Sequence, residues 1–251
     1  MNWRDYQVDV PSGKRGTWKV FKRTVTELDC TLFEMSPTQS LFGKLVGLPS
    51  RRPVPGVFTV LADGDSVVMS DTPAEVMEHR EFIERAHGHV LIHGLGLGMC
   101  ARAVCLKPEV SSVTVVERNP EVIQLVWNHV GEQPWSNKCR VILDDAFTWR
   151  PDRALHRGKV PECWDIAWHD IWYTISEGNL EQMVSLRKRF APWVSGWQGC
   201  WAEDQCRTMS NALKAVRICK PKSEGIDPEQ RYNLFWDVMV ELGEEDRRAN
   251  P

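Results

Sequence analysis

No stretch of this 251-residue sequence approaches the roughly 18 consecutive apolar residues that a membrane-spanning helix needs. Met1-Asn2-Trp3-Arg4-Asp5 opens without the apolar core of a secretory signal. The eight cysteines include no Cys-x-x-Cys pair and no Cys/His group at zinc spacing. Several lie in apolar stretches, where a free thiol packs as a small hydrophobe. They read as reduced thiols of a cytoplasmic protein, and no metal is expected. A net charge of -3 excludes the strongly basic balance of a protein built around nucleic acid. The basic residues of the first sixty positions, Arg51 and Arg52 among them, read as a solvated face or a phosphate contact. There is no internal repeat and no low-complexity tract.

What is present alternates. Residues 1–70 read as an N-terminal β-rich element, mostly extended and irregular. Trp18 to Val25 is rich in β-branched and aromatic residues. Gly56 to Met69 is a hairpin candidate around Asp63-Gly64-Asp65. The Pro- and Gly-rich segment from Pro37 to Pro55 reads as loop. Thr72-Pro73-Ala74-Glu75 then predicts a helix start, with Thr72 capping, Pro73 at the first helical position and Glu75 reaching back. That helix is expected to run to about His87, with Val76, Phe82 and Ile83 inward.

Strand and helix then follow each other regularly. Strands are expected at Val90 to His93, Val113 to Val116, Val141 to Leu143 and Asp165 to Trp168. Helices are expected after the glycine-rich turn to about Leu106, from Asn119-Pro120 to about Val130, and after Asn179. This order predicts an α/β, Rossmann-like, doubly wound and mostly parallel sheet. The Rossmann-like domain is placed at 71–205, and a C-terminal extension packing on the sheet at 206–251. The charged tail from Gly243 is expected to fray.

The strongest local signal is Val90-Leu91-Ile92-His93-Gly94-Leu95-Gly96-Leu97-Gly98, with three alternating glycines between a buried strand and a helix. Alternating glycines let a backbone approach a ligand closely, near a helix N-terminus. Glu117, nineteen residues after Gly98, ends the next strand, where an acid accepts hydrogen bonds from ribose hydroxyls. A dinucleotide site wants Gly-x-Gly-x-x-Gly; here the last position falls on Met99 or Ala101, whereas Gly-x-Gly-x-Gly fits without remainder.

Residues 56 to about 173 resemble the class I S-adenosylmethionine-dependent methyltransferase superfamily, and in layout its spermidine synthase branch. The resemblance is carried by the hairpin, the helix, the glycine loop and Val115-Val116-Glu117-Arg118-Asn119-Pro120. Asp144-Asp145-Ala146 and Trp164-Asp165-Ile166-Ala167-Trp168-His169-Asp170 complete it. It implies S-adenosylmethionine or a related sulfonium nucleoside as cofactor. Gly94, Gly96 and Gly98 would face its methionine part and Glu117 its ribose. Asp145 would meet the adenine amino group with Ala146 nearby, Asp144 taking that place if the turn shifts by one residue. Asp170 would lie beside the transferred group, five residues after Asp165, where aminopropyl transferases carry their base.

The departures matter. Ile92 stands where methyltransferases often have an acid; Leu97 and Tyr173 stand where spermidine synthases have two more carboxylates. A standard polyamine synthase is therefore not expected. Alternation along a strand sends His169 and Asp170 to opposite sides, so His169 reads as a histidine satisfied under a helix. His93, beside the loop, reads as packed with its ring nitrogens bonded locally. Trp193, Trp197 and Trp201 recur at helical spacing, while Gly196 and Gly199 weaken a helix there and leave a short irregular strand as the alternative. These tryptophans serve either as a core seam or as an aromatic platform. The expectation is a methyltransferase-like enzyme acting on a small molecule or side-chain acceptor, without nucleic acid or membrane, and compatible with a homodimer. An aminopropyl-type transferase with a divergent acceptor and a non-catalytic interaction module are the alternatives.

Overall fold

The computed structural model describes residues 2–35, 52–152, 163–219, 230, 233–234 and 237–238. Most of the Pro-rich segment and the charged tail from Gly243 lie outside them. The chain divides into two compact units. One comprises Met1–Ser36, Ser50–Thr174 and Glu181–Trp201, and the other Pro37–Pro49, Ile175–Leu180 and Ala202–Pro251.

The first unit opens with an antiparallel sheet in the order β1 (Gly13–Arg15), β2 (Trp18–Val25), β3 (Gly56–Asp63) and β4 (Ser66–Ser70). The β3–β4 hairpin turns at Gly64, whose φ of 57° suits a tight turn. Asp71 fastens the hairpin to the N-terminal segment, accepting from the Thr59 and Val8 amides at 2.7 and 3.3 Å. Between β2 and β3 lies α1 (Glu27–Met35), where a strand-like or irregular chain was expected. Thr26 and Asp29 account for it: Asp29 Oδ2 accepts from the Thr26 amide at 2.7 Å, and Thr26 Oγ1 accepts from the Asp29 amide at 3.2 Å. This is a capping box with Asp in place of Glu.

The helix expected from Pro73 to His87 is two helices, α2 (Pro73–Glu78) and α3 (Arg80–Arg85). His79 breaks it at φ -93°, ψ 0°. The expected capping box is not formed either. Thr72 makes no cap bond, and Glu75 Oε2 instead accepts from the Ser70 amide and hydroxyl at 3.0 and 2.8 Å. The inward set is as expected, with Val76, Phe82 and Ile83 buried.

The second sheet is parallel. Its strands are β5 (Gly88–His93), β6 (Val110–Glu117), β7 (Cys139–Leu143), β8 (Trp164–His169) and β9 (Val194–Cys200), in the order β7-β6-β5-β8-β9. Renumbered along this sheet the order is 3-2-1-4-5, the doubly wound, Rossmann-like arrangement whose ligands sit at the carboxyl ends of the strands. α4 (Met99–Cys105) links β5 to β6. After β6, α5 (Pro120–Val122) passes through a π-turn (Ile123–Trp127) into α6 (Asn128–Val130). α7 (Asn179–Phe190) precedes β9. Val90, Leu91, Ile92, Val113, Val115 and Ile166 are buried, as a parallel sheet covered on both faces requires.

Trp197 therefore lies in a strand and not on a helix. Its ring stacks on Trp168 at 6.0 Å, and the Arg85 guanidinium covers it at 5.2 Å. The described part of the second unit includes α8 (Glu203–Cys219), where Glu203 and Arg207 pair one turn apart. Among the described residues the cysteines of known side-chain placement are free thiols. No helix there is long and apolar enough to cross a membrane.

Candidate functional site

A cleft opens in the first unit at the carboxyl ends of β5, β6, β7 and β8, with the β3–β4 hairpin forming part of its wall. Its empty space is about 740 Å³, counting the open mouth.

The loop after β5 is built by left-handed glycines: φ is 95° at Gly94, 53° at Gly96 and 77° at Gly98. A Cβ at Gly94 would stand 2.0 Å from the carbonyl oxygen of Asp170, and one at Gly96 2.4 Å from Met69 Sδ. Glycine is thus required twice over, by backbone angle and by close approach. Gly94 and Gly96 line the cleft. Gly98 is not part of the lining and instead turns the chain into α4. The Gly94 amide bonds Val116 O at 2.9 Å, and the Leu97 amide donates to Met69 Sδ at 3.1 Å.

Glu117, at the end of β6, is buried at the cleft's edge. Its Oε2 accepts from the Leu95 amide at 2.9 Å and its Oε1 from the Asn119 amide at 2.8 Å, so one carboxylate ties the glycine loop to the next loop. A carboxylate has about four acceptor positions, and these two bonds leave capacity for ligand hydroxyls. Beyond β7, Asp144, Asp145 and Ala146 also line the cleft. Asp144 Oδ1 accepts from the Asp145 amide at 2.8 Å and Asp145 Oδ1 from the Phe147 amide at 2.8 Å, which fixes a tight turn.

Asp170 follows β8, its amide bonded to His93 O at 2.9 Å and its side chain 18% exposed. Burial holds its carboxyl well above the ordinary range, and repulsion from Glu75, Glu78 and Glu117 pushes the same way. His79 Nε2 lies 3.9 Å from Asp170 Oδ2. Burial, then the charges of Asp170 and Glu75, raise the Cys100 thiol well above its usual value.

The backbone sends His169 away from this cleft. Its Nδ1 lies 2.7 Å from His93 Nδ1 and its Nε2 3.2 Å from Gln198 Oε1, with Phe190 of α7 packed on both rings. Burial pushes the imidazole of His169 down to about 4 and that of His93 well below its ordinary value.

The glycine loop, Glu117, the Asp pair and Asp170, singled out in sequence, thus meet in one cleft, Gly98 standing just behind. Sequence reasoning missed Trp18, Met69 and Glu75, which line it as well. Glu75 carried a signal, but for a helix cap. Trp201, of the tryptophan series read as a core seam or an aromatic platform, also lines the cleft; its Nε1 donates to Glu78 Oε2 at 2.9 Å. Aromatic walls are completed by Phe147, Trp172 and Tyr173, the last edge-on to Trp18 at 6.0 Å.

No protein-family model matches the sequence, and no curated protein matches it. Solved structures are similar in backbone course. The spermidine synthase of Thermotoga maritima is 14% identical over 76% of this chain and 55% of its own, with a TM-score of 0.41. A spermidine synthase in complex with the transition-state analogue AdoDATO is 12% identical over 79% and 59%, with a TM-score of 0.43. The glycopeptide N-methyltransferase MtfA complexed with S-adenosylmethionine is 18% identical over 49% and 52%, with a TM-score of 0.37. The chain spans about half the length of these structures. The fold is Rossmann-like, an assignment that rests on the strand order itself.

Proposed function

We propose that this chain binds S-adenosylmethionine, or a closely related sulfonium nucleoside, in the cleft and transfers a group from it to a small-molecule or side-chain acceptor. One observation carries the reading. The glycine loop, Glu117, the Asp144–Asp145 turn and Asp170 are scattered over some eighty positions, yet all reach one cleft at the carboxyl ends of parallel strands.

The residues present suit such a group. The close-approach glycines Gly94 and Gly96 would receive its amino-acid part, with Gly98 shaping the loop. Glu117 retains acceptor capacity for ribose hydroxyls, and Asp145 or Asp144 with Ala146 would meet the adenine edge. When bound, the donor supplies an electrophilic carbon next to a sulfonium. Asp170 would hold the acceptor in line and take its proton, a task suited to a carboxyl whose affinity for protons is raised. The surplus of carboxylates favours a cationic ligand, as the sulfonium is. Leu97 and Tyr173, where the aminopropyl transferases carry acids, favour methyl over aminopropyl transfer.

Calorimetric titration with S-adenosylmethionine, its demethylated product, methylthioadenosine and NAD tests the reading. Binding of the sulfonium donor or its product without NAD supports it. Preference for methylthioadenosine would point to aminopropyl-type transfer. Silence from all four would leave the chain a non-catalytic module and end the proposal.

A further inference from the structure

Three side chains with no sequence spacing in common meet behind the cleft. His79 sits at the break between α2 and α3, Cys100 in the first turn of α4, and Asp170 just after β8. One ligand atom from each lies within 4.8 Å of the other two. His79 is fully buried and Cys100 nearly so, while Asp170 alone reaches the cleft. Among the described residues no other group of three His, Cys, Asp or Glu side chains meets in this way.

We propose that His79, Cys100 and Asp170 form a binding site for one divalent, borderline-soft cation of the zinc class. The geometry is close to what such an ion needs. Tetrahedral ligation at about 2.0–2.3 Å puts neighbouring ligand atoms roughly 3.4–3.8 Å apart. The 3.9 Å between His79 Nε2 and Asp170 Oδ2 already approaches this, and the Cys100 sulfur lies within 4.8 Å of the ligand atoms of both.

The donor set selects the ion class. Thiolate and imidazole favour zinc-like ions over magnesium or calcium, and one carboxylate is compatible with both. Charge favours it too. A thiolate and a carboxylate together cancel a divalent cation, so the loaded site is neutral, and a neutral cluster escapes most of the cost of burying ions. Around it Glu75, Glu78 and Glu117 add negative potential at Asp170. On binding, the Cys100 thiol gives its proton to solvent, His79 ligates as neutral imidazole, and water supplies the fourth ligand from the side of the cleft. Asp170 then joins the ion to the cleft.

This site stands on the first unit's geometry and does not depend on the donor nucleoside. The test is metal uptake by the full chain, stripped with chelator and kept reduced. Zinc is titrated against a chromophoric chelator, and cobalt is followed by absorbance. The expected result is one equivalent of zinc, and a cobalt complex with a near-ultraviolet thiolate charge-transfer band and tetrahedral visible bands. Cys100→Ser should lose the charge-transfer band, and His79→Gln should weaken uptake. Cys105→Ser, at a buried free thiol outside the cluster, should leave the spectrum intact. Zinc should raise the thermal midpoint of the parent chain and not that of Cys100→Ser. No stoichiometric uptake by the parent overturns the proposal, and that measurement needs no variant to fold. A charge-transfer band that survives Cys100→Ser overturns it equally. Nucleoside binding by the metal-free chain is measured separately, so failure of one idea is not failure of the other.

Discussion

His93 and His169 are register partners on adjacent parallel strands, and their Nδ1 atoms stand 2.7 Å apart. One ring must donate and the other accept, which requires at least one of the facing nitrogens to be unprotonated. Both imidazoles are fully buried and held low, that of His169 to about 4. A histidine lowered in the folded state binds fewer protons there than in the unfolded chain, so stability is complete above the unfolded value near 6.5 and is lost as pH falls toward 4. His169 alone then accounts for a loss of roughly 3 kcal/mol across that window. Urea unfolding between pH 7.5 and 4.5 should show this acid limb, and the double variant His93→Leu, His169→Leu should flatten it. An equal slope in parent and variant would show that carboxylates, not this pair, govern acid sensitivity.

The glycine loop yields a graded prediction. Gly94→Ala drives a methyl group into the Asp170 carbonyl, which belongs to the backbone and has little room to yield. Gly96→Ala meets a side chain, Met69 Sδ. Both carry the strain of a left-handed residue, about 1 kcal/mol. Gly94→Ala should therefore be the more damaging, and Met69→Ala should recover part of the loss in Gly96→Ala but not its backbone share. Thermal melts of the four variants decide this, and an additive Met69–Gly96 pair would refute the contact.

Glu117 braces two loops while facing the cleft. Glu117→Ala leaves the Leu95 and Asn119 amides without their acceptor, so about 1–3 kcal/mol of stability should go. Donor affinity should fall by a similar amount. Calorimetry beside a melting curve separates the two losses. Undiminished donor affinity in a folded variant would remove Glu117 from the ribose.

Asp170→Asn should abolish turnover with donor affinity nearly intact, because in the proposed reading the group would sit at the transfer end of the cleft and not along the nucleoside. The same change removes one buried charge from the neighbourhood of Glu75, Glu78 and Glu117, so in the metal-free chain its melting temperature should hold or rise. Turnover at the parental rate would exclude Asp170 from the chemistry.

The alternation of strands and helices, the β3–β4 hairpin, the glycine loop and the acid ending β6 were all legible in the sequence. Each is written in a short window by hydrophobic period, turn residues or the spacing of one motif. Local windows also misled. The Thr26–Asp29 box went unread beside an extended stretch, and Glu75 looked like a cap while its carboxylate turns to Ser70.

Only the tertiary structure joined His93 to His169 or gathered His79, Cys100 and Asp170. Those meetings follow from strand order and register, with β5 paired to β8 across 76 positions, and from a helix that breaks at His79. No window of neighbouring residues contains them. What the sequence by itself determined is a parallel-sheet fold with a glycine loop at its first strand. Which carboxylates and rings share that loop's cleft, and which thiol lies behind it, was decided by packing, because side chains distant in sequence converge only once the sheet has set its order.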